Sequence, residues 1–202
     1  MRESPPLSEP RSLDLRARAE ADLRAIRDAM EGSSRFTSVS GAGEIAVGLS
    51  ALAAAWIASR QSTPAAWFGV WAVEGALAAA VSLASAARKA GRSGGSLRSL
   101  PARRFALALA PALVAGGVLT LVFLRRGLLD ALPGLWLLLY GTGVVTGGAF
   151  SERIVPLTGM TFMLAGVAAL GLPEPGPDAW MAIGFGGIHV AFGALLLWRH
   201  GG

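Results

Sequence analysis

The sequence predicts an all-α integral membrane protein, a bundle of six transmembrane helices with an N-terminal cytoplasmic amphipathic helix. Hydrophobic residues make up 53% of the 202 residues and charged residues only 15%, whereas about a quarter of a soluble domain is charged. Six apolar segments of about twenty residues follow one another, each long enough to cross about 30 Å of hydrocarbon as a helix. Helices are required because backbone polar groups find no water partners in lipid.

The first 35 residues differ in composition from the rest of the chain. Residues 1–11 are rich in Pro, Ser and charge, which predicts a disordered tail. Residues 12–35 are predicted to form a cytoplasmic amphipathic helix, which ends at about Glu31, and a linker. The transmembrane domain is predicted over 36–202. Five residues share one face of this helix: Leu15, Ala19, Leu23, Ile26 and Met30. That face fits packing on the protein's own cytoplasmic surface or on a second copy, a membrane-surface anchor, or docking of a partner.

The six spans are separated by segments with turn chemistry. Their predicted bounds are 40–59, 65–87, 104–124, 132–150, 154–172 and 178–198. The fourth break, "SERIVP", is short, so the fourth and fifth spans are expected to form an antiparallel hairpin.

Positive charge predicts the orientation of the spans. Fifteen of the 18 Lys and Arg residues lie on the side that carries both termini, and only Arg60, Arg125 and Arg126 lie on the other. The positive-inside rule therefore places both termini in the cytoplasm, which an even number of spans also requires.

Small residues predict how the helices pack, because they let helix backbones approach closely in lipid. Gly143 and Gly147 form a G-x-x-x-G pair in the fourth span. Two further stripes of small residues occur, in the third span at Ala108, Ala112, Gly116 and Thr120, and in the second at Ala72, Ala76, Ala80 and Ala84. We expect all three to face neighbouring helices.

Three ionisable side chains fall inside the spans: Glu44, Glu74 and His189. A charge at the bilayer centre costs about 2.5–3.5 kcal/mol, so each should face protein or a cavity. Counted from the span ends, Glu74, His189 and Tyr140, the only tyrosine, lie near the middle of the membrane. We expect Glu74 to pair with His189, with Tyr140 as a third member of this candidate midplane site.

Glu44 is a secondary candidate, since it lies only about 6 Å into the first span. A carboxylate there also fits the headgroup level or the favourable end of the helix dipole.

Four interpretations of the midplane residues remain open. They form a polar clasp without chemistry, a proton- or ion-handling site, or a ligand set for a metal, haem or quinone, or Glu74 and His189 do not meet. A single His with scattered carboxylates lacks the spacing of a metal site, so no metal and no cofactor is expected.

Composition and motifs exclude several function classes. The net charge of +5 lies between apolar segments and not on a soluble domain, so nucleic acid is not an expected partner. The chain has no Cys, which excludes disulfides and thiolate sites. Metalloprotease, Walker and nucleophile-elbow motifs are missing, so no catalytic residue is assigned and a non-enzymatic protein is expected.

The expected partners are the lipid bilayer and either a second copy or a cytoplasmic protein, held through the basic face and N-terminal helix.

Several stretches resemble small uncharacterised six-span inner-membrane proteins of bacteria: "IRDAMEGSSRFTSVSGAGEIAVGL", "LLLYGTGV" and "GFGGIHVAFGALLLWRHGG". The Gly-punctuated spans are also loosely similar to those of HdeD-type acid-resistance membrane proteins. The resemblance implies a multi-pass protein of the bacterial cytoplasmic (inner) membrane and assigns no functional residues. The predicted function is a separate hypothesis: a non-enzymatic membrane protein that is sensory, scaffolding or stress-related. A small transporter or proton-coupled carrier is the alternative function.

Overall fold

The fold is taken from a computed structural model that describes residues 18–24, 26, 39–92, 98–149, 151–172 and 174–200. The chain divides into two compact units, Met1–Arg35 and Phe36–Gly202. In the first unit, residues 18–24 and 26 are helical, and the Leu23 and Ile26 side chains are exposed. The rest of the helix predicted over 12–31, and the disordered tail predicted over 1–11, lie outside the described residues.

The second unit is built from helices that are long and apolar enough to cross a membrane, six of them within the described residues. The helices are α1 (Gly41–Ala58), α2 (Pro64–Arg92), α3 (Leu100–Arg126), a 3-10 turn (Leu129–Ala131), α4 (Leu132–Gly148), α5 (Ile154–Gly171), α6 (Pro177–Met181), a π-helix (Ala182–Ile188) and α7 (His189–His200). The last three are continuous along the chain and form what we call the sixth span. The predicted all-α bundle is confirmed, and its helices suggest an integral membrane protein.

Local sequence sets where several of these helices begin and end. The Ser40 hydroxyl accepts a hydrogen bond from the Gly43 amide at 3.3 Å and caps the start of α1. Ser99 caps α3 in the same way. Gly127, at the end of α3, has a φ of 70°, a backbone conformation that favours glycine and stops the helix.

Two antiparallel helix pairs form the centre of the bundle, and glycines repeat every seven residues along both. Gly41 and Gly48 on α1 oppose Gly193 and Gly186 on the sixth span. A Cβ atom built on Gly41 would lie 2.6 Å from the Gly193 carbonyl oxygen, so the two backbones are in direct contact. A seven-residue repeat keeps one face of a helix toward the same neighbour.

The second pair, α4 and α5, also packs through glycines spaced seven residues apart, and it forms the predicted hairpin. Gly134 and Gly141 on α4 oppose Gly166 and Gly159 on α5. A Cβ atom on Gly159 would lie 2.7 Å from the Gly141 carbonyl oxygen. The backbones of each pair are therefore in direct contact at these glycines.

The two remaining long helices pack on the outside of these pairs, α2 on α1 and α3 on α4. The stripe predicted on α3 does face α4: a Cβ atom on Gly116 would lie 2.9 Å from the Trp136 ring. The Trp136 indole donates to the Thr120 hydroxyl at 2.9 Å. Gly143 and Gly147 of α4 also face α3, against Leu109 and Phe105.

The small-residue prediction for α2 is wrong. Its stripe points away from the other described helices: Ala72, Ala76, Ala80 and Ala84 are all exposed. Glu74 lies on the opposite side of the helix and is buried against α1. The orientation of α2 about its own axis is set by the burial of that carboxyl against α1, because lipid solvates alanine well and a carboxyl group poorly.

Candidate functional site

The centre of the candidate site is His189, which begins α7 and is 3% exposed. Its Nδ1 atom lies 2.8 Å from the carbonyl oxygen of Phe185, one turn earlier in the π-helix. A carbonyl oxygen only accepts, so Nδ1 must carry a hydrogen. In the neutral imidazole Nε2 is then unprotonated and acts as an acceptor.

Tyr140 of α4 supplies the donor for that acceptor. Its hydroxyl oxygen lies 3.0 Å from Nε2 of His189. The neutral imidazole therefore has both of its polar atoms satisfied inside the bundle, Nδ1 as donor and Nε2 as acceptor. The expected association of Tyr140 with His189 is present.

Aromatic side chains surround this hydrogen bond. The rings of Phe162 and Phe185 lie with those of Tyr140 and His189, with the Phe162 centroid 4.9 Å from Tyr140 and 5.0 Å from His189, both edge-on. Phe162 is fully buried, and Leu137 and Ile188 complete the core around it. The site is sealed on this side by apolar groups that hold the imidazole in one orientation.

Glu44, the secondary candidate, is the carboxyl group that approaches His189. Its Oε2 atom lies 3.6 Å from Nε2 of the imidazole, and its side chain is 22% exposed. The distance is too long for a hydrogen bond but suits an ion pair once the imidazole is protonated. The site therefore joins α1, α4 and the sixth span through Glu44, Tyr140 and His189.

The predicted pairing of Glu74 with His189 does not form. Within the described parts of the chain, the hydrogen-bond partner of Glu74 is Ser50 of α1, whose hydroxyl oxygen lies 2.9 Å from Oε1. Glu74 is 7% exposed, so it is buried as expected, but in the interface between α1 and α2 and not beside His189. Glu74 and His189 lie on different sides of α1. The Glu44 side chain of α1 points toward the sixth span, whereas the Ser50 side chain points toward α2.

Helix register explains why Glu44 takes this place. Since Gly193 opposes Gly41 and Gly186 opposes Gly48, position 189 of the sixth span falls beside residues 44 and 45. Gly41 also contacts Leu197, so the sixth span continues past the start of α1 by its last few described residues. Counting residues from each span end placed Glu44 too shallow relative to His189, because the two helices do not begin at one plane.

Ser50, Phe162 and Phe185 contribute to these two groupings and were not singled out from the sequence. Phe185 lies four residues before His189, the spacing at which a ring nitrogen reaches a backbone carbonyl of the preceding turn. A hydroxyl in the middle of an apolar span is a signal for Ser50, since it needs a partner there. No comparable signal identifies Phe162 among the many apolar residues of α5.

The arrangement around His189 can hold a proton in two ways. With a neutral imidazole, Tyr140 donates to Nε2, and a Glu44 proton stays on the carboxyl. If the proton moves to Nε2, that atom becomes a donor, the Tyr140 hydroxyl has to turn, and the Glu44 carboxylate becomes the counterion. A proton on Nε2 would thus replace the hydrogen bond that joins α4 to the sixth span.

The described residues include no group of three or more His, Cys, Asp or Glu side chains that could hold a metal ion. The titratable side chains that the structure brings together are one imidazole, one carboxyl and one phenol, which suit proton exchange. Searches with this chain matched no family model, no curated protein and no solved structure.

Proposed function

We propose that this chain is a non-enzymatic membrane protein of the bacterial inner membrane that senses protons through Glu44, His189 and Tyr140. The observation that carries the proposal is the position of the His189 imidazole, 3.0 Å from the Tyr140 hydroxyl and 3.6 Å from the Glu44 carboxyl. A sensor needs a group whose charge changes near physiological pH and a structure that responds to it. Histidine is the side chain suited to the first need.

The two glycine-packed helix pairs supply the second need. His189 and Glu44 belong to one pair, and Tyr140 belongs to the other. A rearrangement of the His189–Tyr140 hydrogen bond therefore acts between the two helix pairs, each of which is tightly packed. Tightly packed helix pairs shift between discrete arrangements and do not deform continuously.

The groups that face the imidazole limit what can change its charge. From α1 the ionisable side chain is Glu44, and from α4 it is Tyr140, while α5 contributes none. On the sixth span itself, Asp178, Arg199 and His200 lie about ten residues away. Among the described residues, Glu44 is thus the carboxyl group placed to exchange a proton with His189.

A sensor also needs an output. We place both termini and the basic loop segments on the cytoplasmic side, where a protein partner or a second copy would read the state of the bundle. The charge distribution supports that orientation. A stress-related role fits this proposal and stays a prediction.

Spin labels test the proposed response directly, because the chain has no native cysteine. Cysteines replacing Leu49 on α1 and Leu157 on α5, both exposed, report the distance between the two helix pairs. In lipid vesicles we expect the distance distribution to change between about pH 5 and pH 8, the range in which imidazole can titrate. His189→Gln should abolish the change, and His200→Gln, the matched control, should retain it.

Two outcomes would contradict the sensor proposal. One is a distance distribution that does not change with pH in the parent protein. The other is a change that persists unaltered in His189→Gln. Because an amide can also donate and accept, His189→Gln is expected to fold, which circular dichroism would verify.

A proton-coupled carrier is the second candidate, and the partial exposure of Glu44 is the observation that favours it. Its side chain is 22% exposed while that of His189 is 4% exposed, so Glu44 could admit a proton that the imidazole then receives. A carrier has to release that proton on the other side. Vesicles with an internal pH dye would show Glu44-dependent proton flux for a carrier and none for a sensor.

A further inference from the structure

We propose that Glu74 is a second proton-binding site, separate from His189, in which a protonated carboxyl group donates its hydrogen to the Ser50 hydroxyl. The site lies between α1 and α2. It does not depend on the sensor proposal, since none of its groups contacts His189, Tyr140 or Glu44 among the described hydrogen bonds and ion pairs.

Ser50 has one hydroxyl hydrogen and two oxygen atoms within hydrogen-bond distance. The Ser50 hydroxyl oxygen lies 2.9 Å from the Val47 carbonyl oxygen and 2.9 Å from Oε1 of Glu74. The hydroxyl has one hydrogen, and the carbonyl can only accept. If Ser50 donates to Val47, the contact with Glu74 becomes a hydrogen bond only when Glu74 carries the proton and donates.

Glu74 lies well inside its membrane-spanning helix. It lies ten residues after Pro64 at the start of α2, or about 15 Å along the axis. Ser50 is the tenth of the 18 residues of α1. The carboxyl therefore lies beside the middle of α1 and about 15 Å from the start of α2, at a depth where an unpaired charge is costly.

Among the described residues, nearby charges offer no compensation for a carboxylate at this position. The helix that packs on this face of α2 is α1, and its single ionisable side chain is Glu44, which is also acidic. The first cation on α2 after Glu74 is Arg88, fourteen residues or about 21 Å further on. A neutral, protonated Glu74 satisfies the site without any counterion.

The outward face of α2 gives an apolar reagent a route to the carboxyl. Glu74 is 7% exposed, whereas its neighbours Val73 and Leu77 are 70% and 47% exposed. A Cβ atom built on Gly75 would meet nothing within 4 Å. Dicyclohexylcarbodiimide, which dissolves in lipid and reacts with protonated carboxyl groups, is therefore a suitable probe.

The experiment treats the full-length protein in lipid vesicles with dicyclohexylcarbodiimide at neutral pH and locates the adduct by peptide mass spectrometry. We expect the adduct on Glu74, with the labelled fraction falling as the pH is raised. Glu74→Gln should remove it. His189→Gln should leave it unchanged, which separates this site from the proposed sensor.

Infrared spectroscopy of the same vesicles tests the hydrogen bond. The parent protein should show a protonated-carboxyl C=O band that is lost in Glu74→Gln. Ser50→Ala should shift this band to higher frequency because the acceptor is gone. Ser59→Ala is the matched control, since the Ser59 hydroxyl donates to a backbone carbonyl at the end of α1 and should not affect the band.

Three results would overturn the proposal. The first is an unlabelled Glu74 in a folded protein. The second is an infrared spectrum in which Glu74→Gln removes only carboxylate absorption. The third is protection of Glu74 by sodium at constant pH, which would assign the site to a metal cation and not to a proton.

Discussion

Close backbone packing between α4 and α5 predicts a large penalty for one added methyl group, at Gly141→Ala. A Cβ atom there would lie 2.6 Å from the Gly159 carbonyl oxygen and 2.8 Å from the Met163 amide nitrogen. Ordinary contact begins at 3.4 Å, so the helices would have to separate by about 0.8 Å. A gap of that size forfeits about a quarter to a half of each dispersion contact across the interface.

We expect Gly141→Ala to lower the free energy of unfolding by about 1–3 kcal/mol, the usual cost of overpacking. Gly117→Ala is the matched control. Gly117 lies in α3, and a Cβ atom there would meet nothing within 4 Å. Without a clash, alanine should stabilise the helix by about 0.5–1 kcal/mol.

The assay is reversible unfolding in mixed micelles of detergent and lipid, titrated with sodium dodecyl sulfate and followed by circular dichroism. Gly159→Ala should behave like Gly141→Ala, and the double variant should lose less than the two single losses combined, because one separation relieves both clashes. A Gly141→Ala protein as stable as the parent would refute the close-packing argument.

Two further predictions concern the outer helix α3 and the orientation of the chain. Thr120→Val should cost about 1–3 kcal/mol in the same unfolding assay by leaving the Trp136 indole without its acceptor. Adding Trp136→Phe should recover part of the loss, and a double variant no more stable than Thr120→Val would count against this. Reporter fusions within residues 90–100 and at Gly202 should both report cytoplasm. A periplasmic signal from 90–100 would reverse the proposed orientation.

Much of the architecture could be predicted from sequence because hydrocarbon allows few alternatives. Apolar length alone located the six spans, and the short fourth break predicted the α4–α5 hairpin. The Gly116 face of α3 was also predicted correctly. The α2 stripe was not, because small residues mark a face that is able to pack closely without requiring it, while Glu74 requires burial and lies opposite.

The candidate site was predicted in part. Tyr140 and His189 do meet, since both lie near the middle of their spans. The partner carboxyl was misassigned because relative depth depends on helix register. The glycines at 41, 48, 186 and 193 carry that register. The first and sixth of six spans are antiparallel, and the equal seven-residue spacing then lets Gly41 meet Gly193 and Gly48 meet Gly186, which brings Glu44 beside His189. The π-helix before His189 has no comparable signal in the sequence.

The hydrogen positions on His189 provide the most direct test of the proposed sensor. Nitrogen-15 NMR of labelled histidine in lipid vesicles, with His200→Gln for assignment, should show the neutral ring protonated at Nδ1 and not at Nε2, with Nε2 gaining a proton on acidification. Tyr140→Phe and Glu44→Gln should both change the Nε2 signal, and Glu74→Gln should leave it unchanged. A neutral ring protonated at Nε2, or an Nε2 signal that responds to Glu74→Gln but not to Glu44→Gln, would contradict the account.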